Sequence, residues 1–174
     1  DIQNDFDTYN GQTVIIEAVV TIGVNITRTD RTDAYVQDES GRGINLSDAS
    51  TDFPLLVRGN KLRITGAVSD YSGTTQIGSF TMELISSGNE IPGLEIVSTA
   101  DAGNIDHEGT MIETIGIIND KAEGIGGGTN ITINDGSGDI QMRIWDSSGL
   151  DLSAFSEGDT MGVRGIIDTY NSAA

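Results

Sequence analysis

Three stretches of this 174-residue chain recur about one hundred residues further on, in the same order. GQTVIIEAVV (11–20) aligns with GTMIETIGII (109–118), YVQDESGRGINL (35–46) with ITINDGSGDIQMRI (131–144), and RGNKLRITGAVSDYSG (58–73) with EGDTMGVRGIIDTYNS (157–172). The offsets are 98, 97 and 99, a drift too small over three blocks to arise by chance. A repeat of this kind constrains the architecture before any single residue does: the chain is two copies of one unit.

Within each copy apolar residues alternate with polar ones, the pattern of half-buried strands. Gly is frequent (23 residues), Pro is rare (2), and runs of Val, Ile and Thr lie between Gly, Asn, Asp and Ser clusters, so the fold class is all-β. Each unit reads as a long strand, a loop, a hairpin turning at ESGRG or GSGD, an irregular or helical passage, and a long Gly-interrupted strand. Gly inside a strand costs stability, so Gly66, Gly116 and Gly165 are expected at bends or bulges where a small sheet curls on itself. Five strands with a connection after the third is the plan of the OB-fold barrel.

GQTVIIEAVVT, DAYVQDESGRGINL, GNKLRITGAVSDYSGTTQI and NITINDGSGDIQMRIWD resemble the tandem OB-fold domains of secreted bacterial surface proteins and extracellular-nuclease-associated proteins, as does the opening DIQ. The resemblance covers nearly the whole chain and implies two OB-like barrels and an extracellular or cell-surface location. It implies no activity, because the matching residues are strand and turn positions.

The expected organisation is an N-terminal arm (1–10), barrel 1 (11–85), a linker (86–108) and barrel 2 (109–174). The linker carries Pro92, and STAD reads as one helical turn, with Ser98 capping at Asp101. In barrel 1, TTQIGSFTMELIS (74–86) follows the fourth strand and supplies the fifth; in barrel 2 only Ser172, Ala173 and Ala174 follow the matching turn. A barrel short of a strand exposes two pairing edges. The chain is then a fragment of a longer polypeptide, or the gap is filled from elsewhere in it, or by another molecule. The main expectation is a non-catalytic structural protein that assembles head-to-tail into a filament, other copies of itself being the partner. Ile2, Phe6 and Tyr9 of the arm would be donors, and Val163, Ile166, Ile167 and Tyr170 the acceptor edge.

The alternative is a single-stranded nucleic-acid or glycan binding module of a secreted nuclease-like protein. OB-folds hold such ligands across strands 2 and 3 and the loops after strands 1 and 4, through cations and stacking aromatics. Arg28 and Arg31 would lie in the first of those loops, Tyr35 and Arg42 on the sheet, with Trp145, the only Trp, as a platform or as core packing. Charge argues against this ligand: 27 acids face nine bases, a net −18, so nucleic acid is a disfavoured partner. Residues 11–85 hold six bases against nine acids, 109–174 three against ten, so any such site belongs to the first unit.

No cofactor is expected beyond a possible calcium ion at Asp135 and Asp139 beside Asn134; turn chemistry accounts for these residues as well, and neither this stretch nor Asp30, Asp33 and Asp38 has EF-hand spacing. Catalysis is not expected. Cys is absent, His107 is alone in the linker, and GIGGGTN (124–130) has no Lys and opens no helix, so it is a flexible loop rather than a phosphate cradle. Asn25, Asn45 and Asn130 match the glycosylation pattern, which arises freely in a Thr-rich β protein. No apolar run reaches the ~18 residues of a membrane span, so no membrane insertion is expected, and a chain that starts at Asp1 without Met reads as processed.

Overall fold

The computed structural model describes residues 2–168. The first sheet holds β1 (Thr13–Ile22), β2 (Thr32–Gln37), β3 (Gly43–Asp48), β4 (Lys61–Tyr71) and β5 (Thr74–Ser86), closed into a barrel in the order β1-β2-β3-β5-β4. Alternation explains the faces: Ala18 and Val20 on β1, Ala34 and Val36 on β2, Ile44 and Leu46 on β3, and Leu62, Ile64 and Val68 on β4 all enter one core. The parallel pairing of β3 with β5 and the antiparallel pairing of β4 with β5 close it. Register slips between Thr65 and Ala67, around Gly66, as expected of a glycine at a strand bend.

The second sheet repeats this plan one strand short. It holds β6 (Met111–Ala122), β7 (Gly128–Asn134), β8 (Asp139–Trp145) and β9 (Thr160–Ile166), in the order β8-β7-β6-β9. These match β1 to β4, and among the described residues no strand joins β8 to β9. The core is correspondingly thinner. Ile118, Ile131, Ile133 and Met161 are buried, but Ile140, Met142, Ile144 and Val163 only partly so.

Each sheet is preceded by a one-turn helix. α1 (Phe6–Tyr9) ends with the Asn10 N–H donating to the Phe6 carbonyl, and α2 (Thr99–Ala102) is capped by Ser98, whose hydroxyl accepts from the Asp101 N–H at 3.1 Å, as STAD predicts. Ile2, Phe6 and Tyr9 pack on the core of the first barrel. This corrects the expectation of a donor arm: the three apolar side chains are already used on their own unit. α2 serves the second sheet likewise, with Thr99 fully buried and its hydroxyl within hydrogen-bonding distance of Asp135 Oδ1 at 2.7 Å and the Gly138 carbonyl at 2.6 Å.

Of the expected acceptor edge, Val163 packs on the second core, Ile166 pairs with Met111, and the Ile167 N–H donates to the Thr110 carbonyl. Tyr170 lies outside the described residues.

The stretch between the sheets bonds to both. Asn89 Nδ2 donates to the Gly59 carbonyl at 2.9 Å, and the Val97 N–H donates to the Glu113 carbonyl on β6. Gln37, 1% exposed on the outer face of β2, donates to the Pro92 carbonyl at 2.7 Å and accepts from the Met111 N–H at 2.8 Å. Both halves of a buried amide are thereby satisfied. Alongside, the Gly43 N–H donates to Thr110 Oγ1 at 3.0 Å, and Gln3 Nε2 donates to the Gly43 carbonyl at 2.8 Å and the Glu108 carbonyl at 3.2 Å.

Candidate nucleic-acid interface

The loop between β1 and β2 folds back along the barrel because its own polar groups bind the strands that follow. Thr27 Oγ1 donates to the Asp33 carbonyl at 2.6 Å, and an Arg31 nitrogen donates to Ser47 Oγ on β3 at 2.7 Å. Arg28 forms a two-pronged pair with Asp30, its Nε and a terminal nitrogen 3.0 and 3.1 Å from the two carboxylate oxygens. The hydrogen bond to Asp30 raises the Arg28 pKa, while Arg28 lowers that of Asp30. Both side chains are more than half exposed, so the pair adds little stability and can open to a stronger anion. Tyr71, 64% exposed at the β4–β5 turn, lies close enough to share the field of Arg28.

An arginine–aromatic pair stands on the other sheet. The Arg143 guanidinium lies over the Trp145 ring, 4.5 Å from its centroid. Arg143 is held in place by Asn130 Oδ1 at 2.9 Å, the Gly126 carbonyl at 2.8 Å and the Ile125 carbonyl. Trp145, 37% exposed, therefore stands pre-oriented at the end of β8. Two residues beyond it, Ser147 Oγ donates to the Ile26 carbonyl, which ties the end of β8 to the loop carrying Arg28 and Arg31. Among the described residues, Arg28, Arg63, Lys121 and Arg164 form salt bridges, whereas Arg31 and Arg143 are held by neutral oxygens.

The structure thus gathers Arg28, Arg31 and Trp145 around one loop and places Tyr35 and Arg42 elsewhere. Tyr35 points outward from β2, yet it is only 2% exposed, because the chain before β6 and after β9 covers that face. Burial, with Asp168, Asp33 and Glu108 nearby, pushes its phenol far above the usual range. No base can stack on it. Arg42 lines a cleft of about 350 Å³ with Gln3, Asn4, Thr75, Asp106 and Glu108, and its Nε is buried with no hydrogen-bond partner among the described residues. Arg143 is the residue that sequence reading missed. Its signal was present, since residues two apart on a strand share a face.

Asp135 and Asp139 have local partners. Asp135 accepts from Ser137 Oγ, the Ser137 N–H, Thr99 Oγ1 and the Thr99 N–H, and Ser137 and Thr99 hold its carboxyl well below the usual range. Asp139 accepts from Asn119 and Asn134 at 3.0 and 2.6 Å. Among the described residues no three His, Cys, Asp or Glu side chains gather to hold a metal ion, and no helix is long and apolar enough to cross a membrane.

The geometry is that of an OB-like protein with an arginine–aromatic stack on β8 and arginines on the loop after β1. No protein-family profile matches the chain. It is similar to the Endonuclease YhcR of Bacillus subtilis (strain 168), 24% identical over 168 residues, and spans 91% of its own length but 14% of that protein's. Among solved structures, the p204 HINb domain matches with a TM-score of 0.47 and 11% identity over 94% of this chain and 91% of that one. The Ifi202 HINa domain in complex with a 20-base-pair DNA duplex matches with a TM-score of 0.43 and 15% identity over 75% and 76%. The expectation that nucleic acid is a disfavoured partner and copies of the chain the favoured one is corrected here, because Arg31 and Arg143 are held by neutral oxygens rather than by carboxylates despite the acidic composition. The side chains expected to donate to another copy, Ile2, Phe6 and Tyr9, are packed on their own barrel.

Proposed function

We propose that this chain is a non-catalytic module that binds single-stranded nucleic acid within a larger, secreted nuclease-like protein. The observation that carries the reading is the Arg143–Trp145 stack, tied through Ser147 and Ile26 to the loop bearing Arg28 and Arg31. An aromatic face with a guanidinium beside it accepts any base, and neighbouring arginines accept phosphates. The similarity to an endonuclease supports the nuclease context, and the small share of that protein involved supports a module rather than the catalytic part. The single histidine, His107, in the segment between the sheets, is also in keeping with a binding role. An extracellular site of action belongs to the same proposal.

Trp145 is the only tryptophan, so its fluorescence reports this site alone. Titration with oligothymidylate of about twelve nucleotides at low salt is expected to quench it. With Arg28, Arg31 and Arg143 as the phosphate contacts, log affinity should fall with log salt at a slope of about −2. Arg143→Ala and Arg28→Ala should each weaken binding several-fold. Absence of quenching and of any gel shift at low salt overturns the reading, and quenching by an oligosaccharide but not by the oligonucleotide replaces it with glycan binding.

A further inference from the structure

The glycine run GIGGG (124–128), which reads in the sequence as a flexible loop, closes into a tight hairpin turn between β6 and β7. The Ile125 N–H donates to the Gly128 carbonyl at 2.9 Å, and the Gly128 N–H donates back to the Ile125 carbonyl at 3.2 Å. Gly126 and Gly127 between them take φ of +50° and +84°. Positive φ at both central residues makes this a type I′ turn, which suits the twist of a hairpin and favours Gly and Asn. The turn is also tied to the end of β8, where the Asp146 N–H donates to the Gly127 carbonyl at 3.1 Å.

What the turn holds is Arg143. Nη2 of the guanidinium donates to the Ile125 carbonyl and, at 2.8 Å, to the Gly126 carbonyl, while Nη1 donates to Asn130 Oδ1 at 2.9 Å. Gly128 lies opposite Trp145 in the strand register. A Cβ on it would meet Arg143 Nε at 3.2 Å and the Ile144 carbonyl oxygen at 2.4 Å, so the absent side chain leaves the room that the arginine occupies beside the indole. A guanidinium grips a phosphate with two prongs either through Nε and Nη2 or through Nη1 and Nη2. Both forks need Nη2, which the turn already engages twice. The charge still acts on a phosphate nearby, but the part of Arg143 fixed in advance is its plane, over the Trp145 ring at 4.5 Å from the centroid. A long side chain ordered before the ligand arrives loses no rotamer freedom on binding.

We propose that the glycine turn 125–128 is the positioning element of the nucleic-acid site: it locks Arg143 flat against Trp145, so that an unpaired base meets a preformed indole–guanidinium surface. The base is then recognised by its face, through stacking, and Gly126, Gly127 and Gly128 set the strength of binding without touching the ligand. This rests on the binding function proposed above and adds to it the residues that order its central contact.

Gly127→Val is the discriminating variant. A Cβ at Gly127 would meet nothing within 4 Å, so valine clashes with no neighbour there and acts only by refusing the left-handed backbone. Gly126→Asn is the conservative variant, because Asn-Gly is the favoured pair for this turn and a Cβ there comes no nearer than 3.4 Å to Arg143 Nη2. Each full chain is titrated with labelled oligothymidylate of about twelve nucleotides and followed by fluorescence anisotropy. The indole band in the near-ultraviolet circular dichroism of the ligand-free protein reports the Arg143–Trp145 stack. Gly127→Val should bind about fivefold or more weakly, with an altered indole band and an unchanged slope of log affinity against log salt, since every charge remains. Gly126→Asn should match the wild type in all three. Where Gly127→Val fails to give the wild-type far-ultraviolet spectrum, Gly127→Ala takes its place, with a milder form of the same left-handed penalty. A folded variant that binds as tightly as the wild type overturns the inference and leaves the binding function standing, and so does an equal loss of affinity in Gly126→Asn. A wild-type chain that does not bind the oligonucleotide overturns both.

Discussion

Glu108 keeps 4% of its surface exposed where the N-terminal segment, the β4–β5 turn and the start of β6 meet. Burial pushes its carboxyl up from 4.5 to about 7, against hydrogen bonds from Gln3 and the Thr75 backbone and the Arg42 guanidinium in the same cleft, which favour the charged form. Asp168 nearby adds to the upward shift, and Asp106 lines the same cleft. Between those values the folded protein holds a proton that the unfolded chain has released, so this group's contribution to stability falls as pH rises through the window. Glu108→Gln removes the titration. Its unfolding free energy relative to wild type should rise by about 2–3 kcal/mol between pH 4.5 and 7.5, measured by urea denaturation at each pH. Gly43 shows the opposite constraint, one of space. A Cβ there would lie 2.0 Å from the Gly109 carbonyl oxygen, a backbone atom that cannot step aside without parting the two sheets. Gly43→Ala should cost about 2 kcal/mol or more in the same assay, although the residue is a strand position with room for no obvious role.

At the scale of elements, the one-turn helices are too short to be stable alone, and packing decides whether they form. α1 closes one end of the first barrel through Phe6 and Tyr9, and α2 is stapled to the β7–β8 turn through Thr99 and Asp135. Phe6→Ala should therefore destabilise the barrel by about 2 kcal/mol by thermal or urea unfolding, where a free arm would tolerate the change at no cost. The paired strands obey their alternation closely, and outward residues such as Ile15, 68% exposed, show where no second layer lies. On β2 the same alternation points Tyr35 and Gln37 outward, and there a second layer does lie.

At the scale of the whole molecule, the two units share a plan and differ in completeness. The closed barrel buries a core drawn from five strands, the open sheet one drawn from four. Trp145 sits in the open sheet and reports on it alone, whereas far-ultraviolet circular dichroism reports on both. In a urea titration the fluorescence midpoint should lie below the midpoint by circular dichroism. Coincident midpoints would mean that Gln37, Gly43 and Gln3 couple the sheets into one cooperative unit.

The repeat, the alternating strands, the bulge at Gly66, the Ser98 cap and the shortage of one strand in the second unit were all legible in the sequence, because each depends on residues a few places apart or on comparing one copy with the other. The burial of Tyr35, the seat of Ile2, Phe6 and Tyr9 on their own barrel, and the stranding of Glu108 in a protein interior were decided by tertiary structure alone. Each turns on which outward face another segment covers, and the contacts that settle it join residues 40 to 105 positions apart, such as Gln3 with Gly43 and Glu108. Alternation says that a side chain leaves the barrel; only the packing of the second unit says whether it meets water or protein.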